Sequence, residues 1–418
     1  MKSRKLLFVT YGFPPSRRVG CVRTWNIAKY LTRAGWTVTV LTLDPSLWRE
    51  VEDPQEWGTR FSVEGIRRLS ADHRWRWLAA AGNVNCSNEG LSWLLGGIGR
   101  RAARLLGIDR SVGWVRSAEQ TCSNLMPNDV DVILASGPPF SAFSLAQRLA
   151  ERLHRPYVLD YRDLWSRNLH NPVSTAVKRE ASVVSGSAAV TTVSPSWARV
   201  MDRQFGVAAK LHVVSNGFDP EDLATIQAHH FGHFAIVYTG SLWPPTRPIS
   251  PVMAALQRLK DVAPRQERWM FHYYGRRGVH VREEAERFGV ADKVIVHELV
   301  PRATALEAVK GAGVAVVITS VASNATLEDN GMVTGKIFEA IGLGTPVLVI
   351  APDGSDANVV VETTGLGRRY AASDVDGIAS FLSDLMDGKS LEPKETAAYA
   401  WGNLVSTLDG VLRDAVRG

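Results

Sequence analysis

The 418-residue chain is poor in cysteine: it has three, Cys21, Cys86 and Cys122, scattered rather than grouped. They make neither a disulfide framework nor a cysteine-rich zinc site, and they suit a reducing cytosol. No apolar run reaches the roughly 18 residues that a membrane-spanning helix needs. The opening MKSRKLLFVTYGFPP has a short apolar core, broken by Pro14 and Pro15 and followed by no small-residue cleavage site. It reads as a buried first strand rather than a leader. No G-x-G-x-x-G follows a strand, which leaves a nicotinamide dinucleotide weakly supported. No D-x-D carboxylate pair closes a strand either, so no metal is expected beside a diphosphate. His229, His230 and His233 lack the frame and the further ligands of a metal site, and they read as a solvated hinge.

Lysine is missing altogether from residues 60–118. That segment holds ten arginines and only four acids, an excess equal to the whole chain's formal charge of +6. It also holds Trp75, Trp77, Trp93 and Trp114. Three readings fit. The stretch 93–107 makes an amphipathic helix for an anionic membrane surface, the tryptophans stack on a ring-shaped or aromatic ligand, or a solvated arginine face covers an ordinary core. A nucleic-acid partner is not expected, because no binding module accompanies the charge.

What is abundant is order. With 45% hydrophobic and 22% charged residues the chain is globular, and its length suggests two domains. Continuous apolar runs alternate with helical patterns: 6–12, 37–43, 130–136, 157–161, 188–194 and 211–217. They restart at 234–240, 269–275, 293–299, 314–320 and 345–351. Such runs mark buried parallel strands covered by helices. The expected architecture is α/β, two Rossmann-like domains with parallel sheets facing across a cleft. Their bounds are 1–222 and 223–394, with a helical stretch 395–418 packing back on the first. In such sheets ligands sit beyond the carboxyl ends of the strands.

Two loops there carry chemistry. GFPPSRRVGCVR (12–23) follows the first strand. Gly12 and Gly20 allow close approach, a helix begins near Gly20, and Arg17, Arg18 and Arg23 add charge. The alternative is an ordinary strand-to-helix loop. NGMVTGKIFEAIGLGTPVLVIAP (330–352) enters a helix whose first amides, on Thr334, Gly335, Lys336 and Ile337, suit a diphosphate. Lys336 adds a cation, and Glu339, one turn deeper, suits ribose hydroxyls. The alternative is a surface Lys336–Glu339 pair with Phe338 and Ile341 as plain core.

Seven stretches together resemble the family 4 (GT4) retaining glycosyltransferases of GT-B fold. They are the FPP…G…R loop, ILASGPPFSAF (133–143), VLDYRDLW (158–165), VTTVSPSW (190–197), VVSNGFD (213–219), VYTGSLW (237–243) and GKIFEAIGLGTPV (335–347). The resemblance implies a cytoplasmic carbohydrate-biosynthesis enzyme, free in the cytosol or at the inner face of the membrane. It would move a sugar, with retention, from a nucleotide-diphosphate sugar (UDP favoured) to a hydroxyl of a glycan, lipid-linked or small-molecule acceptor. No cofactor is implied. The acceptor would lie on the first domain and the donor on the second. A GT-B epimerase or phosphorylase, or a non-catalytic nucleotide-sugar-binding protein, is the alternative.

Carried over residue by residue, the family's second glutamate is Glu339, while the first falls on Gly331, with Glu328, Asp329 or Asn330 as substitutes. The usual arginine and lysine after the second domain's first strand fall on Ser241 and Arg247, beside Gly240. The pocket histidine falls nearest Arg162. Arg162 is expected to face the leaving phosphate or acceptor with Asp163 orienting it. A structural ion-pair network around Asp160 is the alternative.

Overall fold

The structure, a computed structural model, describes residues 3–16, 18, 20–48, 65–74, 109, 111–168, 176–262 and 269–418. The chain divides into two compact units, one of residues 1–215 with 401–418 and the other of residues 216–400. The boundary thus follows Ser215 rather than residue 222. The returning segment is the helix Trp401–Arg417, and residues 395–400 stay with the second unit.

The first unit holds seven strands: β1 (Arg4–Thr10), β2 (Trp36–Leu43), β3 (Ile66–Ala71), β4 (Val132–Gly137), β5 (Tyr157–Tyr161), β6 (Ala189–Thr192) and β7 (Leu211–Val213). They form one sheet in the order β3-β2-β1-β4-β5-β6-β7, every pairing parallel. The second unit holds β8 (Phe234–Thr239), β9 (Trp269–Tyr274), β10 (Val294–Val296), β11 (Val314–Ile318), β12 (Val347–Ile350) and β13 (Gly367–Tyr370). Their order is β10-β9-β8-β11-β12-β13, again all parallel. Both orders reverse direction beside the first strand of the unit, between β1 and β4 and between β8 and β11. That reversal opens the crevice where doubly wound sheets take ligands.

Interior strands are apolar on both faces because helices cover both. All six residues of β4 and all five of β11 are buried. The edge strands β3 and β13 differ. Each contains an arginine pair, Arg67–Arg68 and Arg368–Arg369, and is mostly half-buried or exposed. They carry no apolar run, and the sequence patterning does not predict them. Among the described residues no helix is long and apolar enough to cross a membrane. Cys21 and Cys122 are buried and form no disulfide among the described residues.

The helix Trp401–Arg417 buries Trp401, Val405, Leu408, Val411 and Leu412 in the first unit's core. Asp409 fixes its register by accepting from Trp36 Nε1 at 2.6 Å and from Arg413 Nε at 2.8 Å. Trp401 is 1% exposed. Truncating a buried ring of this size costs about 3–5 kcal/mol. Trp401→Ala is therefore expected to lower the first unit's unfolding free energy by about that much, read by denaturant titration.

Candidate functional site

In the second unit the backbone leaves β8 through Gly240, at φ +102°. A side chain there would be strained, and it would also meet Lys336, whose Cε would stand 2.6 Å from the added carbon. The glycine therefore lets Lys336 lie across the end of β8. The Lys336 ammonium sits 4.9 Å from the centroid of the Tyr238 ring, a cation–π contact. Its pKa is lowered to about 8, first by burial and then by the charge of Arg247, against the pull of Glu339.

The loop after Gly240 is a tight turn. Trp243 and Arg247 exchange backbone hydrogen bonds of 3.1 and 2.8 Å, and the Arg247 guanidinium lies 6.0 Å from the centroid of the Trp243 ring. Ser241 is exposed, and its carbonyl accepts from the Tyr238 hydroxyl at 3.2 Å. Lys336 belongs to the first turn of the helix Gly335–Gly342. Thr334 caps that helix through extended backbone without a side-chain bond, and its hydroxyl is buried with no partner among the described residues. Space beside Gly335 is open. The Ile337 amide is not a free donor, because it turns back onto the Thr334 carbonyl at 3.2 Å. The amides expected to suit a diphosphate are thus reduced to those of Thr334, Gly335 and Lys336.

Glu339 is not ion-paired with Lys336. Its Oε1 accepts from Arg302 Nη2 at 2.6 Å and from Nε at 3.2 Å, while Arg302 Nη1 donates to Asp222 Oδ2 at 3.0 Å. Burial opposes the arginine's charge, but the two carboxylates more than offset it and raise its pKa. Sequence reasoning missed Arg302, whose partner lies 37 residues away. Thr239, Arg302, Lys336 and Glu339 form the polar side of a cavity of about 40 Å³, room for one or two waters. Near Gly331, Asp329 caps a short turn. It accepts from Ser320 Oγ at 3.0 Å and from Thr326 Oγ1 at 2.8 Å, so it is committed to structure. Asn330 Oδ1 is buried without a partner among the described residues.

In the first unit Asp160 is fully buried and saturated. It takes Arg23 Nη2 at 2.6 Å, Ser136 Oγ at 2.7 Å and Thr191 Oγ1 at 2.9 Å. Burial alone would raise its pKa, but Arg23 and the hydroxyls hold it below the usual carboxylate range. Asp160 thus belongs to a structural network. Arg162 feels the Asp160 and Asp163 charges but makes its hydrogen bonds elsewhere. Its Nη2 donates to the Pro138 carbonyl and its Nε to the Gly137 carbonyl at 3.3 Å. Its guanidinium rests on Gly20, where any side chain would collide with it. The glycine therefore makes room for an arginine at the start of the helix Gly20–Arg33. Asp163 is half-buried on the same loop.

Two expectations need correction. Trp114 is 0% exposed and packs edge-on against Tyr11, so it is core and offers no face to an acceptor. Trp75, Trp77, Trp93, Arg17 and the stretch 93–107 lie outside the described residues. His233 is not a solvated hinge. Its Nε2 lies 2.8 Å from His272 Nε2, and His272 Nδ1 lies 2.9 Å from His297 Nε2. The three rings stack, and burial together with its neighbours' charges lowers the pKa of His272 to about 4. Among the described residues no group of three His, Cys, Asp or Glu forms a metal site.

Residues 21–217 match a family model described as a glycosyl transferase 4-like domain, a span that ends beside the unit boundary. That stretch, just under half of the chain, is similar to the glycosyl transferase 4-like domain. No curated protein matches the chain by sequence. Its fold is that of solved GT-B structures. Sucrose-phosphate synthase from Thermosynechococcus elongatus has a TM-score of 0.64 at 14% identity, with 98% of each chain covered. α,α-Trehalose 6-phosphate synthase from Burkholderia multivorans has a TM-score of 0.64 at 10% identity, covering 100% of this chain and 98% of that one. Anabaena HepE, solved with UDP and glucose, has a TM-score of 0.57 at 14% identity, covering 99% and 97%.

A lysine with a pKa near 8 loses its charge as pH rises through that value. Affinity for a nucleoside diphosphate is expected to fall about tenfold between pH 7 and 9, by titration calorimetry, and Lys336→Arg should flatten that fall.

Proposed function

We propose that the protein is a glycosyltransferase that moves a sugar, with retention, from a nucleotide-diphosphate sugar held by the second unit to a hydroxyl of a glycan, lipid-linked or small-molecule acceptor held by the first. The observation that carries this reading is the Lys336 ammonium drawn over Gly240 at the start of a helix whose cap makes no side-chain bond, with the Glu339 carboxylate one turn deeper. An ammonium, a nearby guanidinium on Arg247 and open helix amides are what a departing diphosphate needs. A carboxylate at that depth suits ribose hydroxyls. UDP is the favoured carrier, a choice supported by the UDP and glucose of the HepE complex.

The negative charge that develops on the leaving diphosphate is stabilised by Lys336, Arg247 and the amides of Thr334, Gly335 and Lys336. These groups are fixed before the reaction, so little reorganisation is needed as charge builds. No divalent ion is required in this scheme. On the first unit, Arg162 and Asp163 are assigned to the acceptor hydroxyl. Arg162 is held by two carbonyls and by the gap at Gly20, which leaves its charge at a helix start. The leaving phosphate itself takes the acceptor's proton on the face from which it departs. We place the enzyme in the cytosol, with association to the inner membrane face depending on the acceptor.

A thermal-shift screen of UDP-, GDP- and dTDP-sugars identifies the donor, since a ligand bound only to the folded state raises the melting point. With that donor, Lys336→Ala and Glu339→Ala are each expected to lower kcat/KM by about a hundredfold while the protein stays folded. Release of nucleoside diphosphate should depend on acceptor and survive EDTA. Near-normal rates in both variants would contradict the site assignment.

A further inference from the structure

Arg302 has no role in the scheme above, yet it is the best-anchored cation near the carboxylate. It is the first residue of the helix Arg302–Gly311, where a positive charge meets the unfavourable end of the helix dipole. The ion pairs it makes are a quarter exposed, with side-chain exposures of 26% for Arg302 and 28% for Glu339. The two carboxylates offset both the burial of the charge and the unfavourable dipole end. A cation kept against the dipole by two carboxylates, one of them Glu339, points to a role beyond helix stability.

The geometry supplies one. Nε and Nη2 both close on a single oxygen of Glu339, and Nη1 is tied back to Asp222. A planar guanidinium held from two sides fixes the plane of the carboxylate it grips. It also occupies Oε1 and leaves Oε2 with no protein donor among the described residues. We propose that Arg302 is a positioning residue: it turns Glu339 into a one-oxygen acceptor aimed at a sugar hydroxyl, and so makes the site selective for ribonucleotide over deoxyribonucleotide donors. This rests on the donor reading given above. It adds the residue that sets the selectivity and the class of nucleotide selected.

The orientation matters because a carboxylate free to rotate accepts from any donor that reaches it, water included. A fixed one rewards only a hydroxyl at one place, and its bond to an ionised acceptor is among the stronger kinds. Loss of that hydroxyl should therefore cost about tenfold in affinity, and loss of the grip should erase the difference.

The experiment compares UDP, GDP and ADP with their 2′-deoxy and 3′-deoxy counterparts, by titration calorimetry on the full chain. The proteins are the wild type, Arg302→Met, Arg302→Lys and Asp222→Asn, each checked for folding by circular dichroism. The wild type is expected to prefer the ribonucleotide by about tenfold. Arg302→Met should narrow this to about twofold, through weaker binding of the ribonucleotide and little change for the deoxynucleotide. Arg302→Lys, which keeps the charge without the fork, should fall between. If Arg302→Met does not fold, the lysine and Asp222→Asn variants carry the test. An unchanged preference, or equal loss for both nucleotides, would overturn the role of Arg302 and leave the donor site standing. A wild type that binds none of the ribonucleotides would overturn the donor reading itself.

Discussion

One close approach organises the second unit: an ammonium lying across a glycine. Gly240 leaves β8 at a positive φ, and the missing side chain is the space that Lys336 fills. The approach works only because β8 and β11 flank the point where the strand order reverses. There the carboxyl end of β8 and the start of the helix Gly335–Gly342 come together without a strand between them. Burial of Lys336 then lowers its pKa to about 8, so the site carries a cation that sheds its proton at modest cost. A diphosphate brought to that position restores the charge it needs.

The first unit is held by a different device. Arg23 pairs with buried Asp160, and its remaining donors reach the carbonyls of Val214 at 2.9 Å and Ser215 at 2.8 Å, the last residues before the chain leaves the unit. The returning helix places Trp401 5.4 Å from the same guanidinium. Both passages of the chain into this unit are thereby tied to one buried pair. Breaking such a pair by removing one partner costs about 3–5 kcal/mol, because the other charge stays buried. The saturation of Asp160 also explains why Arg162, two residues on, is held by carbonyls instead. With the nearest acid committed, its guanidinium is left to the loop and the helix start.

The sequence told most about what is buried on both faces. Continuous apolar runs marked the interior strands, and the glycine-bearing loops after them marked the Lys336 helix and the Gly20 helix. Two of the four edge strands, β3 and β13, escaped because they are mostly half-buried or exposed and carry arginine pairs where a run would be. Arg302 escaped for a related reason. A cation at a helix start breaks the expected charge pattern, and its partners Glu339 and Asp222 are 37 and 80 residues away. His272, alone in the apolar strand WMFHYY, gave no sign that His233 and His297 would stack on either side of it. The tryptophans drew attention by composition, but Trp114 is core. Composition counts rings and does not say which way they face.

The account stands or falls on whether the glycine at the end of β8 exists for Lys336. Titration calorimetry of UDP against the wild type and Gly240→Ala tests this directly, with folding of both verified by circular dichroism. The added methyl group displaces the ammonium and strains the loop, so affinity is predicted to fall by about tenfold or more. A folded Gly240→Ala protein that binds UDP within about twofold of the wild type would contradict the account.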